Sequence, residues 1–130
     1  NSNGGDIFAL YQIYDIMKMI KAPINTVCFG KAYSAAAVIL SAGNKGRRYM
    51  FENSKSMIHG VQFLYPSPSE SDQEGSAAFL GFIEKQNENI LKILAKHAGQ
   101  PLAKIRQDCI NDSFMGAKES LKYGLIDHII

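Results

Sequence analysis

Apolar side chains recur along this chain with two different periods, and the two alternate. Between about Asp6 and Lys21, Ile7, Leu10, Tyr11, Tyr14, Met17 and Met19/Ile20 fall three or four residues apart, which predicts a helix with Asp6 as N-cap and Pro23 beyond its end. The apolar, β-branched run Ile24-Asn-Thr-Val-Cys-Phe29 predicts a strand. The Ala-rich stretch Ser34–Ala42 predicts a helix closed by Gly43, and Asn44-Lys-Gly46 a turn. Arg47–Phe51 and Ser56–His59 read as two short strands joined at Glu52-Asn53-Ser54, and Pro66–Asp72 as a polar loop. A long amphipathic helix is expected from about Glu74 to His97, with Phe79, Phe82, Ile83, Ile90, Ile93 and Leu94 as its apolar positions. Gly99 marks its end, and Pro101 opens a short helix that finishes near Asp108. A last helix over Ala117–Tyr123, stopped by Gly124, leads to a terminal strand at Ile126–Ile130. Alternation of this kind argues α/β layers in a single domain spanning residues 1–130. Asn1-Ser-Asn-Gly-Gly5 has the look of a strand-ending loop with nothing before it, which leads us to expect that the domain lacks an N-terminal segment.

Composition narrows the function classes. With 46% hydrophobic residues the chain can bury a core, and at net charge +2 it has no basic stripe interleaved with aromatics of the kind nucleic acid requires. Its longest purely apolar run, Ala35 to Leu40, is far too short to span a membrane. Cys28 and Cys109 have neither metal-ligand nor disulfide-framework spacing, so no metal is expected, and a reducing intracellular compartment suits them best.

The chemistry concentrates where the first strand meets the Ala-rich helix. Ser34 follows Gly30-Lys-Ala-Tyr33 at a strand-to-helix turn, where unpaired N–H groups and the positive end of the helix dipole gather. Such a place suits an N-cap, and it equally suits a nucleophile whose reaction builds an anion. A serine nucleophile needs an imidazole to take its proton and a carboxylate to orient that imidazole. Of the three histidines, His97 and His128 read as solvated or packing residues on surface elements. His59 ends a predicted strand ahead of Gly60, where a base would stand above a sheet. Asp108 and Asp112 are both candidates for the carboxylate, and either could be a simple cap. Gly4-Gly5, just ahead of a helix, could bring backbone N–H groups close to a substrate.

Taken together these stretches resemble the proteolytic-subunit family of the Clp proteases, the ClpP-type serine peptidases. Asn1-Ser-Asn-Gly-Gly5 resembles the family's Asn-Ser-Pro-Gly-Gly, and Gly30-Lys-Ala-Tyr-Ser34-Ala its Gly-x-Ala-x-Ser turn. Ser41–Tyr49, Asn53-Ser54 and Met57-Ile-His59 resemble the segment leading to the family's histidine. His97-Ala-Gly-Gln100, Asp112-Ser-Phe-Met115 and Tyr123-Gly-Leu-Ile-Asp127 resemble its C-terminal third. The resemblance implies Ser34 as nucleophile, His59 as general base, Asp112 rather than Asp108 as orienting carboxylate, and the backbone N–H groups of Gly5 and Ala35 as oxyanion donors. It implies a ClpP/crotonase-like spiral of ββα units with a projecting long helix, and a peptide or unfolded-protein substrate bound as an added strand. It further implies heptameric rings stacked as a tetradecamer, an AAA+ unfoldase of the ClpX, ClpA or ClpC type as partner, and ATP used by that partner with no cofactor in this chain. The implied location is the cytoplasm, or an organelle matrix or stroma.

Three departures stand out. Gly60-Val-Gln replaces the Gln-Pro that usually follows the histidine, a Pro- and Ser-rich segment from Phe63 to Ser71 replaces a Gly-rich loop, and the resemblance begins at Asn1, so the domain is expected to lack the family's N-terminal axial segment. Other readings are a non-catalytic ring subunit of the same fold, a crotonase-like acyl-CoA hydratase or isomerase, and a Ser-Lys peptidase using Lys31 or Lys45, both expected at the surface.

Overall fold

The structure is a computed structural model that describes residues 1–62 and 73–130. The polar loop expected at Pro66–Asp72 lies outside the described residues. Among those described, the chain runs α1 (Ile7–Met19), β1 (Thr26–Cys28), β2 (Lys31–Tyr33), α2 (Ala35–Ser41), β3 (Arg48–Met50), β4 (Lys55–Ile58), α3 (Gln73–Ala98), α4 (Leu102–Asp108), β5 (Ser113–Gly116), α5 (Ala117–Tyr123) and β6 (His128–Ile129). The fold is mixed α/β. Two strands were not expected, β2 and β5, and the expected strands at Ile24–Phe29 and Ile126–Ile130 are trimmed to β1 and β6. Three or four residues are too short a run for an alternation to stand out, so only pairing reveals them.

The strands form two small sheets. In one, β3 lies between β1 and β6, parallel to both; in the other, β4 lies between parallel β2 and antiparallel β5. The chain crosses from the first sheet to the second twice, between β1 and β2 and between β3 and β4. Buried Ser54 ties the crossings together, accepting from the Gly30 N–H at 2.8 Å and donating to the Cys28 carbonyl at 3.3 Å.

The core fills the space between sheets and helices. Met50, Leu94, Ile105 and Leu125 are fully enclosed, each side chain of this size contributing roughly 1.5–3 kcal/mol by leaving water. Of the apolar positions on α3, Ile90 and Leu94 are buried in this core, joined by Leu91 and Ala98, whereas Leu80 and Phe82 nearer its N-terminus are exposed. The face of α1 divides similarly: Ile7 and Leu10 are buried, Ile16 and Met19 exposed.

Arg48 is 1% exposed, an unusual depth for a guanidinium, and nothing in the alternating pattern of its strand marks it. Its Nη2 meets Asp127 Oδ1 at 2.6 Å and its Nε donates to Asp127 Oδ2 at 2.8 Å. Its Nη1 donates to the carbonyls of Ser41, His97 and Gly124, at the C-terminal ends of α2, α3 and α5. Those ends are the negative poles of their helices, so one buried cation answers a carboxylate and three helix dipoles. The Arg48 partner, aided by N–H donors from Gly46 and Arg48, holds the Asp127 carboxyl at about 2.

Candidate active site

Ser34 sits where β2 hands over to α2, with φ 55° and ψ −124°. Among the described residues it is the one non-glycine with positive φ. A side chain held in that region costs of order 1–3 kcal/mol and persists where neighbouring bonds over-determine it. Here the Ser34 N–H donates to the Met57 carbonyl at 2.9 Å, and the Ser34 carbonyl accepts from Ala37 at 2.9 Å. Although Ser34 occupies the N-cap position of α2, its hydroxyl makes no capping bond. It turns instead to His59, with Oγ 2.8 Å from Nε2.

His59 follows directly on β4. Parallel pairing of Tyr33 with Met57 sets it beside Ser34. Its side chain is 15% exposed, and Nδ1 lies 3.2 Å from Asp112 Oδ1, at ion-pair distance. Nδ1 is nevertheless buried without a hydrogen bond, so the approach of Asp112 is too bent for one. The distance and the missing bond describe one contact: the carboxylate is in place to attract the N–H electrostatically but is not aligned with it. Asp108 faces elsewhere, bound by Lys104 Nζ at 2.6 Å and the Tyr123 hydroxyl at 2.7 Å, which keep its carboxyl below the usual range. The structure therefore brings Ser34, His59 and Asp112 together and leaves Asp108 outside. With Nδ1 protonated toward Asp112, Nε2 carries the lone pair that can accept the Ser34 hydroxyl.

The glycine pair divides its work. Gly4 has φ +88°, and a Cβ there would lie 2.6 Å from the Tyr33 carbonyl oxygen, 2.7 Å from Ser34 Cβ and 2.9 Å from the Ala35 nitrogen. Only a glycine lets the N-terminal segment press against the serine turn this closely. Gly5 beside it opens to free space. Ala35 begins α2, so its N–H belongs to the orphan set of the helix start. Ser2 pairs with Ala32 alongside β2, which fixes the Gly4–Gly5 backbone relative to this turn. A cavity of about 390 Å³ is lined by Gly4, Gly5, Ala35 and residues of α1 and β1, but not by Ser34, His59 or Asp112, so it is not the space in front of the hydroxyl.

The remaining candidates serve other ends. His97 is half-buried, its Nε2 2.9 Å from the Tyr14 hydroxyl. Burial first, then Lys96, Lys18 and Arg48, hold it down to about 4. His128 is exposed and stacks on Tyr49. Lys45 is exposed as expected, but Lys31 is half-buried, its Nζ 5.7 Å from the centre of the Tyr33 ring. Both thiols are free and buried. Among the described residues no three His, Cys, Asp or Glu gather to hold a metal, and no helix is long and apolar enough to cross a membrane. One residue near the site escaped the sequence reading: Asn87 of α3, whose Oδ1 accepts from the Val61 N–H at 2.9 Å. An Asn in a polar helical stretch gives no signal of such a contact.

A mixed α/β fold that holds a serine hydroxyl against an imidazole at the mouth of a helix, with a carboxylate behind the ring, has the layout of a hydroxyl-nucleophile site. The family model for Clp protease matches residues 1–130. The chain is also 40% identical, over 140 aligned residues, to the ATP-dependent Clp protease proteolytic subunit of Deinococcus radiodurans, an alignment covering all of this chain and 62% of that protein. The chain belongs to the Clp protease family. It spans 62% of the length of that curated relative.

Proposed function

We propose that this chain is the catalytic part of a serine endopeptidase that hydrolyses peptide bonds in unfolded proteins and peptides. The observation that carries the reading is the 2.8 Å approach of Ser34 Oγ to His59 Nε2 from a strained turn at the start of α2. Ser34 Oγ attacks the scissile carbonyl carbon as its proton passes to His59 Nε2. The carbonyl oxygen becomes an oxyanion, received by the N–H groups of Gly5 and Ala35. His59 then returns the proton to the leaving amine as the C–N bond breaks, and water repeats the sequence on the acyl-serine. Asp112 steadies the imidazolium through Nδ1. All of these steps are acid–base chemistry of the chain's own groups, with ATP used by a separate partner.

The same reading places the chain in a spiral of ββα units, consistent with strand–strand–helix order in β1-β2-α2 and β3-β4-α3. It places the site inside a chamber of stacked heptameric rings fed by an AAA+ unfoldase in an intracellular compartment. Apolar residues left exposed on α1 and at the N-terminal half of α3, among them Ile16, Met19 and Leu80, suit packing against further copies. Reaction with a fluorophosphonate, followed by mapping of the modified residue, tests the catalytic claim. Ser34 is the expected adduct, and modification elsewhere, or none, overturns it.

A further inference from the structure

We infer that Ser113 is a positioning residue whose hydroxyl latches the turn carrying Asp112 to the end of α4 and so sets where that carboxylate meets His59; the inference rests on the peptidase reading above. Asp112 stands between two fixed points. On one side, β5 pairs with β4, and its first rung joins Ser113 to Ile58, the residue before His59. The same antiparallel register carried one step further puts Asp112 opposite His59, but the strand begins at Ser113, one residue short of the carboxylate. On the other side, the Ser113 hydroxyl donates to the Asp108 carbonyl at 2.5 Å. Asp108 is the last residue of α4, a helix seated by the fully buried Ile105. This bond closes the turn 109–112 between a helix end and a strand start. Its acceptor is main chain, so the latch survives replacement of the Asp108 side chain.

The carboxylate depends on that turn. Its side chain is 48% exposed, so close packing does not hold it, and it stands 3.2 Å from Nδ1 without hydrogen-bond alignment. An attraction of this kind weakens with distance and with the water around it. Where the main chain sets Asp112 therefore decides how strongly the imidazole is oriented. A misplacement of about 1 Å near a reacting centre can cost on the order of a hundredfold in rate. The base is tied to the same turn, because the Gly60 N–H, directly after His59, donates to the Cys109 carbonyl at 2.9 Å. Base and carboxylate thus share one frame, and the Ser113 hydroxyl is a side-chain member of it that a substitution can remove. A carbonyl at a helix end also needs a donor for its own sake. The experiment must separate that plain role from a role exerted through Asp112.

Ser113→Ala removes the hydroxyl, and Ser113→Thr keeps it on a residue that suits a strand. Each change is made in the parent and in Asp112→Asn. The variants are compared by thermal unfolding, by the rate at which a small fluorophosphonate labels Ser34, and by kcat and KM for a short peptide. The expected result for Ser113→Ala in the parent is a loss of about tenfold in kcat and in labelling rate, the weight of one hydrogen bond, with KM unchanged. Ser113→Thr should stay close to the parent. In Asp112→Asn the same Ala change should slow labelling by less than about twofold, because the residue it acts through is gone. A tenfold loss that persists in Asp112→Asn, a Thr variant no better than the Ala variant, or no loss of kcat overturns the inference. So does a rise in KM with kcat kept, or an Ala variant that does not fold. In each of those cases a parent protein labelled at Ser34 leaves the peptidase reading standing. A parent that takes no label there sinks that reading, and the inference with it.

Discussion

The backbone N–H of Ser34 donates to the carbonyl of Met57, two residues before His59. That bond continues the parallel register in which Tyr33 pairs with Met57, so the meeting of hydroxyl and imidazole is a property of how β2 lies on β4. A slip of one residue would turn His59 to the opposite face of the sheet. The same bond helps hold Ser34 at positive φ, where its hydroxyl meets His59 instead of capping the helix it begins.

Substitution of Ser34 should separate activity from stability. Ser34→Ala and Ser34→Gly should each lose several orders of magnitude in peptide turnover. Because glycine tolerates φ 55° and alanine does not, Ser34→Gly should be the more stable of the two by about 1 kcal/mol. Denaturant titration of both variants measures the difference, and equal midpoints would mean that the serine turn is unstrained.

The two candidate carboxylates, Asp112 and Asp108, should behave differently. Asp112→Asn should lower kcat on the order of 10⁴-fold, because the amide no longer holds the imidazole in the tautomer that leaves Nε2 free to accept. Asp108→Asn loosens Lys104 and Tyr123 but touches neither Ser34 nor His59, so kcat should stay close to that of the parent. Steady-state kinetics of the pair decides between them, and the reverse ranking would reassign the carboxylate.

Acid should weaken the fold in two steps. His97 is held at about 4 in the folded chain, below its ordinary 6.5, so between those values the unfolded chain binds more protons. Stability is therefore complete above pH 6.5 and declines as the pH falls toward 4. Asp127, held at about 2 against an ordinary 3.8, adds stability that is present above pH 3.8 and lost as the pH falls toward 2. Thermal midpoints across this range should show both slopes, and His97→Gln should flatten the first while leaving the second.

Removing one member of the buried ion pair should be the most damaging change to the fold. Arg48→Met strands the Asp127 carboxylate and three helix-end carbonyls, at a cost of about 3–5 kcal/mol. Arg48→Met with Asp127→Leu should cost less than the sum of the two single changes, since the second removes the charge the first exposes. Chemical denaturation of the three variants gives the coupling directly.

Long periodic segments were legible in the sequence: α3 and α5 begin and end within a residue of where their apolar spacing and glycines place them. The short strands β2 and β5 were not, because each depends on a partner strand rather than on its own pattern. Ser34, His59 and Asp112 could be named from ordered motifs, and the structure places them in contact, although the bend at Asp112 is invisible in any motif. Arg48 and Asn87 were missed for a shared reason. A charged residue in a strand and an amide on a helix read as solvent-facing, and only the folded chain reveals the carbonyls and the N–H they satisfy.

Because one guanidinium gathers the C-terminal ends of α2, α3 and α5, those helices cannot fray independently. Nη1 has two N–H groups for three carbonyls, so the ends share one donor group, and loosening any one of them uncovers the buried cation on which the other two rest. The ends should open as a single cooperative unit, with amides distant in sequence exchanging their hydrogens at a common rate. The serine turn rides at the other end of α2, so its geometry is insured by a knot of charge on the far side of the helix from the chemistry.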